Sequence, residues 1–419
     1  MKELESRNLA SLLLLLFLIF TFLAVSTKGM VVDEIYHFEE ITLFINGDFT
    51  FENSLLVMIP GYHVLMATIA KITGLNTVFS IRAFTLVIGF ITIFIYSITS
   101  SKIADKQSNF RSKISNLSSL GNLQFIFLPI IFPFFFLIYT EGLSLGLIIL
   151  ALYFVKSKNY NVAGIIGGIS FLVRQNNILW LGFLWIISFF QEYPKMNEFS
   201  LKVFYSFSKK NFTFIFSSLI FFIIFIYLGE FALSDKSNHP SFLFHSENIF
   251  SFLFVINIIF LPIIIKQLLF AKLKPKKVNL VICMSSLIIF FFLFVLTFKA
   301  NHGYNNFGEN YFLRNMLIEA FQSSSKFTQA LYFIPIGISI IFLFLIKFKQ
   351  KSYYLFYLFS LPFLTTQWLI DPRYLIIPLF FFQIFRERFS DKWEFTQLVW
   401  EILLSGCVIF GILNETYFL

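Results

Sequence analysis

The chain has 419 residues, of which 58% are hydrophobic and only 13% are charged, and its mean hydropathy is +0.80. So few charges cannot cover the surface of a soluble globular enzyme, in which the charged share is about 25%. The 64 phenylalanines exclude a disordered chain, and the long unbroken apolar runs disfavour the alternating pattern of a transmembrane barrel. We therefore predict an all-α polytopic membrane protein.

The net charge of +9 is explained by lysines and arginines held on the cytoplasmic side of a membrane, so nucleic acid is not expected as a partner. The two cysteines, Cys283 and Cys407, lie inside apolar runs, and the five histidines are scattered. These patterns predict no disulfide, no metal site and no cofactor. Lys2 and Arg7 precede an apolar run that is long and lacks a small-x-small cleavage site, which indicates an uncleaved first span and not a signal peptide.

Thirteen apolar runs predict about 11–14 transmembrane helices in one integral membrane domain over residues 1–419. Several runs are shorter than the roughly 20 residues of a full crossing, so some helices are expected to be tilted or broken. The runs lie near 9–27, 78–99, 123–138, 142–155, 161–173, 177–190, 212–229, 248–268, 278–298, 328–346, 353–369, 374–385 and 398–415. With a cytoplasmic N-terminus, most of the 32 basic residues fall on cytoplasmic segments, and the first outer loop covers about 28–77. Within this loop the stretch 55–73 is expected to form a half-buried helix pair, broken at Pro60-Gly61.

The first outer loop contains a cluster of ionisable residues. In a helix, Asp33, His37 and Glu40 share one face at i, i+4 and i+7. A ragged apolar face consists of Ile35, Phe38, Ile41 and Ile45. The pattern predicts an amphipathic helix that lies at the membrane surface and presents acid groups beside the lipid headgroups. The alternative is a solvated helix start, in which Asp33 and Glu34 only favour the helix dipole.

Four further polar features lie at outer turns between apolar runs. The turn at Arg174, Gln175 and Asn177 favours a binding site, because charged groups at membrane depth usually line a cavity; in the alternative, Arg174 snorkels to the headgroups from a plain turn. The other three features are Glu141 in a very short turn, the pair Asp371 and Arg373 around a proline, and an amide- and aromatic-rich loop at 301–314 that ends with Arg314. An outer polar site of this kind suits an amphiphilic substrate with an anionic headgroup, such as a polyprenyl-phosphate sugar.

In chain order, these features resemble the dolichyl-phosphate-glucose-dependent alpha-1,2-glucosyltransferases, GT-C membrane enzymes that add the last glucose to the lipid-linked oligosaccharide. The family's Met-Asp-Glu-(Ile/Glu)-Phe-His signature is similar to Val32-Asp33-Glu34-Ile35-Tyr36-His37. Its Phe-Arg-Gln-Thr-Asn-Ile-(Ile/Val)-Trp stretch resembles Val173-Arg174-Gln175-Asn176-Asn177-Ile178-Leu179-Trp180. Further similarities lie at Gly47-Asp48-Phe49, Ile59-Pro60-Gly61-Tyr62-His63, Ile138-Tyr139-Thr140-Glu141 and Asp371-Pro372-Arg373-Tyr374-Leu375-Ile376-Ile377-Pro378. The chain departs from the family at Phe38-Glu39-Glu40, which replaces a Pro-Gln-Ala stretch.

The resemblance implies a GT-C-like fold and transfer of glucose from a beta-linked dolichyl- or polyprenyl-phosphate glucose to a lipid-linked oligosaccharide, with inversion to an alpha-1,2 linkage. Direct displacement of a phosphate needs one general base and no general acid. The resemblance implies Asp33 as that base, with Glu34 as the second candidate. The substrate-binding residues that it implies are His37, Glu141, Arg174, Gln175, Asn177, Arg314, Asp371 and Arg373. We expect Asp33 to meet Arg174 and Arg373 in one outer-facing cleft, where the arginines neutralise the leaving phosphate without a metal.

Three alternatives stay open at this point. The first is another polyprenyl-phosphate-sugar-dependent glycosyltransferase of cell-surface glycan or lipid modification, which needs the same kind of outer polar site. A lipid-glycan flippase is less consistent with polar residues at outer turns and no evident internal repeat, and a structural subunit gives no reason for acids and arginines on one side. The expected location is the endoplasmic reticulum membrane with a lumenal site in a eukaryote, or the plasma membrane with an external site in a prokaryote.

Overall fold

A computed structural model describes residues 2–50, 57–104, 118–194, 200–229, 232–233, 244–270, 277–300, 305, 318 and 324–417. Within these residues every regular element is helical, which confirms the predicted all-α fold. The chain forms two compact units. The first comprises residues 1–126 and 131–241, and the second comprises residues 127–130 and 242–419.

The described part of the first unit contains ten α-helices. Its helices are α1 (Lys2–Ser26), α2 (Glu34–Ile45), α3 (Gly61–Thr73), α4 (Val78–Ile103), α5 (Leu120–Ile126), α6 (Glu141–Lys156), α7 (Tyr160–Val173), α8 (Asn177–Glu192), α9 (Leu201–Lys210) and α10 (Thr213–Leu228). Helix α6 packs against three of them, α4, α7 and α8. A Cβ atom on Gly146 of α6 would lie only 2.5 Å from Oγ1 of Thr92 in α4, so glycine permits this close approach.

The second unit contains α11 (Glu247–Ile259), α12 (Leu261–Phe270), α13 (Lys277–Thr297), α14 (Lys326–Leu345), α15 (Leu355–Thr365), α16 (Ile376–Phe385) and α17 (Asp391–Leu413). Short 3₁₀ turns at Lys351–Tyr354 and Pro372–Leu375 precede α15 and α16. Apolar side chains of α11, α13 and α14 form one of its cores, which contains Phe250, Leu253, Phe294, Ile336 and Ile340.

By length and composition, four of the described helices can each cross a membrane. They are Leu9–Ser26, Val78–Ile103, Lys326–Leu345 and Asp391–Leu413. Two bent pairs, α9 with α10 and α11 with α12, raise the number to six if each pair is one span. Other apolar runs form helices of 10–17 residues, among them α7 and α8. The protein is therefore a polytopic membrane protein whose thirteen apolar runs include helices shorter than one crossing.

The apolar run at 123–138 does not form the continuous span that its hydropathy predicts. Helix α5 ends at Ile126, and the next regular element is a 3₁₀ turn at Phe132–Phe135. Every residue from 124 to 140 is buried. Irregular backbone is tolerated at membrane depth only where protein covers it, so the apolar character of this run reflects burial in protein.

The first outer loop folds onto the first unit through α2 and α3. Helix α2 packs against α3, and α3 packs against α7. A Cβ atom on Gly61 would lie 2.5 Å from the Leu172 carbonyl oxygen, so the start of α3 touches the backbone at the end of α7. This contact brings the loop next to Arg174, which follows α7 directly. Of the half-buried helix pair expected at 55–73, the second helix is present as α3, and residues 57–60 before it are not helical. Residues 51–56 lie outside the described part of the chain.

Candidate active site

A fully buried ion pair joins the first outer loop to span α4. The Arg82 side chain of α4 donates from Nη2 to Oε2 of Glu34 at 2.7 Å and from Nε to Oε1 at 3.0 Å, and both side chains have no exposed surface. Two parallel hydrogen bonds of this kind fix the relative orientation of a guanidinium and a carboxylate. Glu34 is the first residue of α2, so the pair sets the position of that helix start.

Arg82 also binds the chain that leaves span α1. It donates hydrogen bonds to the carbonyl oxygens of Val25, Lys28 and Gly29 at 3.1, 3.0 and 2.8 Å. The end of α1, the turn after it and the start of α2 are thereby held by one side chain. Arg82 is absent from the residues predicted for the site, although an arginine inside a span requires a partner and signals one.

Asp33 lies on a strained turn that Tyr139 and Glu34 hold from both sides. Val32 has a φ of +52°, a left-handed conformation that is unusual for a β-branched residue. The Tyr139 hydroxyl accepts from the Asp33 backbone N–H at 3.0 Å and donates to the carbonyl of Val31 at 2.9 Å. The Val31 N–H donates to Oε2 of Glu34 at 2.7 Å. Asp33 is partly exposed, and its side chain does not cap α2.

Both carboxylate oxygens of Glu34 are committed to structural hydrogen bonds. Oε1 accepts from Arg82 and from the Ile138 N–H at 2.7 Å, and Oε2 accepts from Arg82 and from the Val31 N–H. A carboxylate so filled and so buried has no free position for an acceptor hydroxyl. The Glu34 carboxylate therefore holds the turn before α2, whereas Asp33 is partly exposed.

Helix α2 has the opposite orientation to the one expected. Its buried face contains Glu34, His37 and Glu40 together with Ile41 and Phe44. Ile35 and Tyr36 are 40% and 47% exposed. The helix therefore turns its ionisable face into the protein, where Arg82 binds Glu34 and His63 of α3 binds His37.

His37 forms a buried pair with a histidine from α3. Its Nδ1 lies 2.9 Å from Nε2 of His63, and the side chains are 4% and 0% exposed. The rings of Tyr139 and Tyr62 contact His37 edge to face at centroid distances of 5.3 and 6.3 Å. Burial lowers the pKa of His63 well below 6.5, and the neighbouring His37 lowers the pKa further. His63 is not among the site residues predicted from the sequence.

Glu141 and Arg174 are paired in the same unit. Nη1 of Arg174 donates to Oε1 of Glu141, and the side chains are 14% and 3% exposed. Burial raises the pKa of Tyr62, and the carboxylates of Glu34 and Glu141 raise it further. Arg174 is therefore held by a carboxylate and does not snorkel from a plain turn.

The two amides after Arg174 hold neighbouring segments. Gln175 donates to the Val57 carbonyl at 3.1 Å and accepts from the Ile59 N–H at 3.4 Å. Asn177 donates to Oγ of Ser144 at 2.8 Å and to the Ser170 carbonyl at 3.0 Å. In this structure, these side chains connect the turn to the start of α3 and to α6.

Asp371 and Arg373 belong to the second unit. The Arg373 guanidinium donates to Oδ2 of Asp371 at 2.6 and 2.8 Å. The backbone of the adjacent Ile370 forms two hydrogen bonds with the side-chain amide of Asn305: its N–H donates to Oδ1, and its carbonyl accepts from Nδ2. One residue of the expected 301–314 loop therefore reaches this turn. Arg314 lies outside the described residues. An apolar cavity of about 490 Å³ borders the pair through Ile370 and Pro372.

The structure thus brings together Asp33, Glu34, His37, Glu141, Arg174, Gln175 and Asn177 within the first unit, whereas Asp371 and Arg373 lie in the second. Among the described residues, no group of three or more histidine, cysteine or acidic side chains is arranged to hold a metal ion. The sequence model of the DIE2/ALG10 family matches the chain over residues 27–384. No curated protein and no solved structure matches the chain.

Proposed function

Because the chain belongs to the DIE2/ALG10 family, the dolichyl-phosphate-glucose alpha-1,2-glucosyltransferase family, we propose that it transfers glucose from a dolichyl- or polyprenyl-phosphate glucose to a lipid-linked oligosaccharide. Membership makes the protein a membrane glycosyltransferase that acts in lipid-linked oligosaccharide glucosylation. The finer parts of the proposal are the donor, the alpha-1,2 linkage and inversion at the anomeric carbon.

In the proposed reaction, the Asp33 carboxylate takes the proton of the acceptor hydroxyl. The acceptor oxygen then forms a bond to C1 of glucose from the face opposite the phosphate. The bond from C1 to the phosphate oxygen breaks at the same time, and its electron pair leaves with the lipid phosphate. A beta-linked donor gives an alpha-linked product, and Asp33 releases its proton to water after product departure.

The observation that carries this proposal is the support of Asp33. The strained turn at Val32, the Tyr139 hydroxyl and the buried Glu34–Arg82 pair hold the backbone of one partly exposed acid. Backbone strain that is fixed from several sides is typical of functional sites, and preorganised groups cost no reorganisation during the reaction. A solvated helix start requires none of these contacts.

We further propose that Arg174, Gln175 and Asn177 shape the wall of the site and that Arg174 stabilises negative charge on the leaving phosphate. Its guanidinium is held by Glu141 and keeps 14% of its side-chain surface exposed. In the second unit, the Arg373 guanidinium, which Asp371 holds, suits a lipid phosphate. The neighbouring apolar cavity suits part of the isoprenoid chain of such a lipid. The site around Asp33 and Arg174 faces the lumen in the endoplasmic reticulum, or the exterior in a prokaryotic plasma membrane.

The test is glucosyl transfer by purified protein in proteoliposomes that contain dolichyl-phosphate glucose and extracted lipid-linked oligosaccharides. Asp33→Asn should keep the thermal unfolding midpoint and lose about 10²–10⁴-fold in kcat, the usual share of a general base. Glu39→Gln is the matched control, because Glu39 is an exposed acid on the same helix. A loss below about tenfold in Asp33→Asn would remove Asp33 from the base role.

The same assay tests the donor and the linkage. Parallel reactions with lipid-phosphate mannose and lipid-phosphate arabinose should give no product, and linkage analysis of the glucosylated oligosaccharide should show an alpha-1,2 bond. Product from another sugar donor alone would replace the glucosyltransferase proposal with a different lipid-phosphate-dependent transferase.

A further inference from the structure

The His37–His63 pair joins α2 to α3, and His37 lies one helical turn after Asp33. The two ring nitrogens are 2.9 Å apart, the ring centroids are 5.1 Å apart, and both side chains are buried. At this distance one proton lies between Nδ1 of His37 and Nε2 of His63. If His37 carries that proton on Nδ1, its Nε2 has a lone pair and can accept a hydrogen bond. If His63 carries it on Nε2, the Nε2 of a neutral His37 is protonated and can donate one.

The surroundings of His63 indicate which of the two rings carries this proton. Among the described residues, Nδ1 of His63 has no hydrogen-bond partner. If His63 accepted the bond at Nε2, its own proton would be on Nδ1 as a buried donor with nothing to bind. If His63 donates from Nε2, Nδ1 carries only a lone pair. Buried N–H donors without a partner are rarer than under-satisfied acceptors, so the second arrangement is favoured.

The tyrosines next to the pair do not change this assignment. Tyr62 and Tyr139 are the titratable side chains whose rings contact the two histidines. The Tyr62 hydroxyl is 3.1 Å from Oγ1 of Thr85, and the Tyr139 hydroxyl is bound to the Val31–Asp33 turn. Both hydroxyls are therefore occupied away from Nδ1 of His63.

We propose that His63 donates its Nε2–H to Nδ1 of His37 and thereby holds His37 as the neutral Nε2–H tautomer. His37 then has no lone pair with which to remove the acceptor proton, because its Nε2 carries the proton. His63 is a positioning residue that leaves Asp33 as the base of the site. This inference rests on the proposed transferase function for its use, but the tautomer itself does not.

A proton added to the pair meets a structural penalty. A protonated His37 would have to donate from Nδ1 to His63, which would move the His63 proton onto the unpartnered Nδ1. Burial, which lowers the pKa of His63, acts in the same direction. The pair therefore stays neutral around pH 7, and the donor character of His37 does not vary across the working range.

The direct experiment is ring ¹⁵N NMR of the full protein labelled at its five histidines, with His63→Gln used to assign the pair. We expect both His37 and His63 to show protonated Nε2 and unprotonated Nδ1 at pH 7. A spectrum with the proton on Nδ1 of His37, or with a charged pair, would overturn the proposal. This measurement needs no substrate, so a failure of the transferase assay leaves its result unaffected.

The functional experiment uses two substitutions of similar size. His63→Gln places an amide donor near the position of Nε2, whereas His63→Phe keeps a ring and removes the donor. His63→Phe should lose about tenfold or more in kcat, equivalent to about one net hydrogen bond, and its pH profile should gain an acid limb from His37. His63→Gln should retain activity within about threefold and keep the wild-type profile. Equal losses in both variants, with unchanged pH profiles, would refute the positioning role.

Discussion

The removal of Arg82 tests the buried pair on which the site depends. Arg82→Met keeps an unbranched apolar side chain of similar length in span α4 and removes five hydrogen bonds, two to Glu34 and three to carbonyls at and after the end of α1. The Glu34 carboxylate stays buried without its counter-charge, and three carbonyl oxygens lose a donor. Loss of one partner from a buried pair costs about 3–5 kcal/mol, mostly because the other charge is uncompensated.

In domains of about 150–250 residues, each kcal/mol shifts the unfolding midpoint by about 2–4 °C, so we expect a decrease of roughly 10 °C. The assay is thermal unfolding in detergent micelles, followed by the fluorescence of the five tryptophans. Arg388→Met is the control, because Arg388 is exposed and its loss should change stability by no more than about 0.5 kcal/mol.

A second variant separates the charge effect from lost packing. Glu34→Gln added to Arg82→Met removes the uncompensated charge, so the double variant should lose less than the sum of the single losses, with a coupling of about 0.5–3 kcal/mol. An Arg82→Met protein that unfolds within about 2 °C of the wild type would refute the reasoning. Additive losses would show that the pair is not coupled.

Two other predictions concern packing and pH. Gly61→Ala should lower the unfolding midpoint, because its Cβ would lie 2.5 Å from the Leu172 carbonyl oxygen, whereas Gly406→Ala, with no atom within 4 Å of its Cβ, should be neutral or slightly stabilising; equal midpoints would contradict the close contact. Because the folded-state pKa of His63 lies below 6.5, the unfolded chain binds a proton first as pH falls. Stability should therefore be insensitive to His63 above pH 6.5 and should decrease below it by up to about 1.4 kcal/mol per pH unit, and His63→Gln should show a shallower decrease in pH-dependent melting. An unchanged slope would refute the assignment.

The ionisable groups of the site could be found from the sequence, but which of them are buried and which partners they bind could not. Asp33 and Glu34 are adjacent acids with the same local pattern. Only one of them meets Arg82, which is 48 residues away, and Ile138, which is 104 residues away. Hydrogen-bond partners so distant in the chain are set by how α2 packs on its neighbours, and no local periodicity encodes that packing.

The same limit explains the orientation of α2. Amphipathic patterning assigns apolar residues to the protein or lipid and charged residues to water. In this helix Glu34 and His37 are buried because Arg82 and His63 are present to bind them, while Ile35 and Tyr36 are exposed. In a membrane protein an exposed apolar side chain carries little penalty, so apolar periodicity alone does not identify the inner face.

The sequence by itself determined the all-helical membrane fold, the family and the segments that carry the site, because hydropathy and motif spacing are properties of local composition. The tertiary structure decided that Glu34 pairs with Arg82 and holds the turn before α2, that Asp33 is partly exposed, and that His63 is hydrogen-bonded to His37. These roles follow from burial and from partners that meet only when α2, α3 and α4 pack together. A carboxylate filled by four hydrogen bonds and a partly exposed carboxylate are chemically different groups, although they have the same composition.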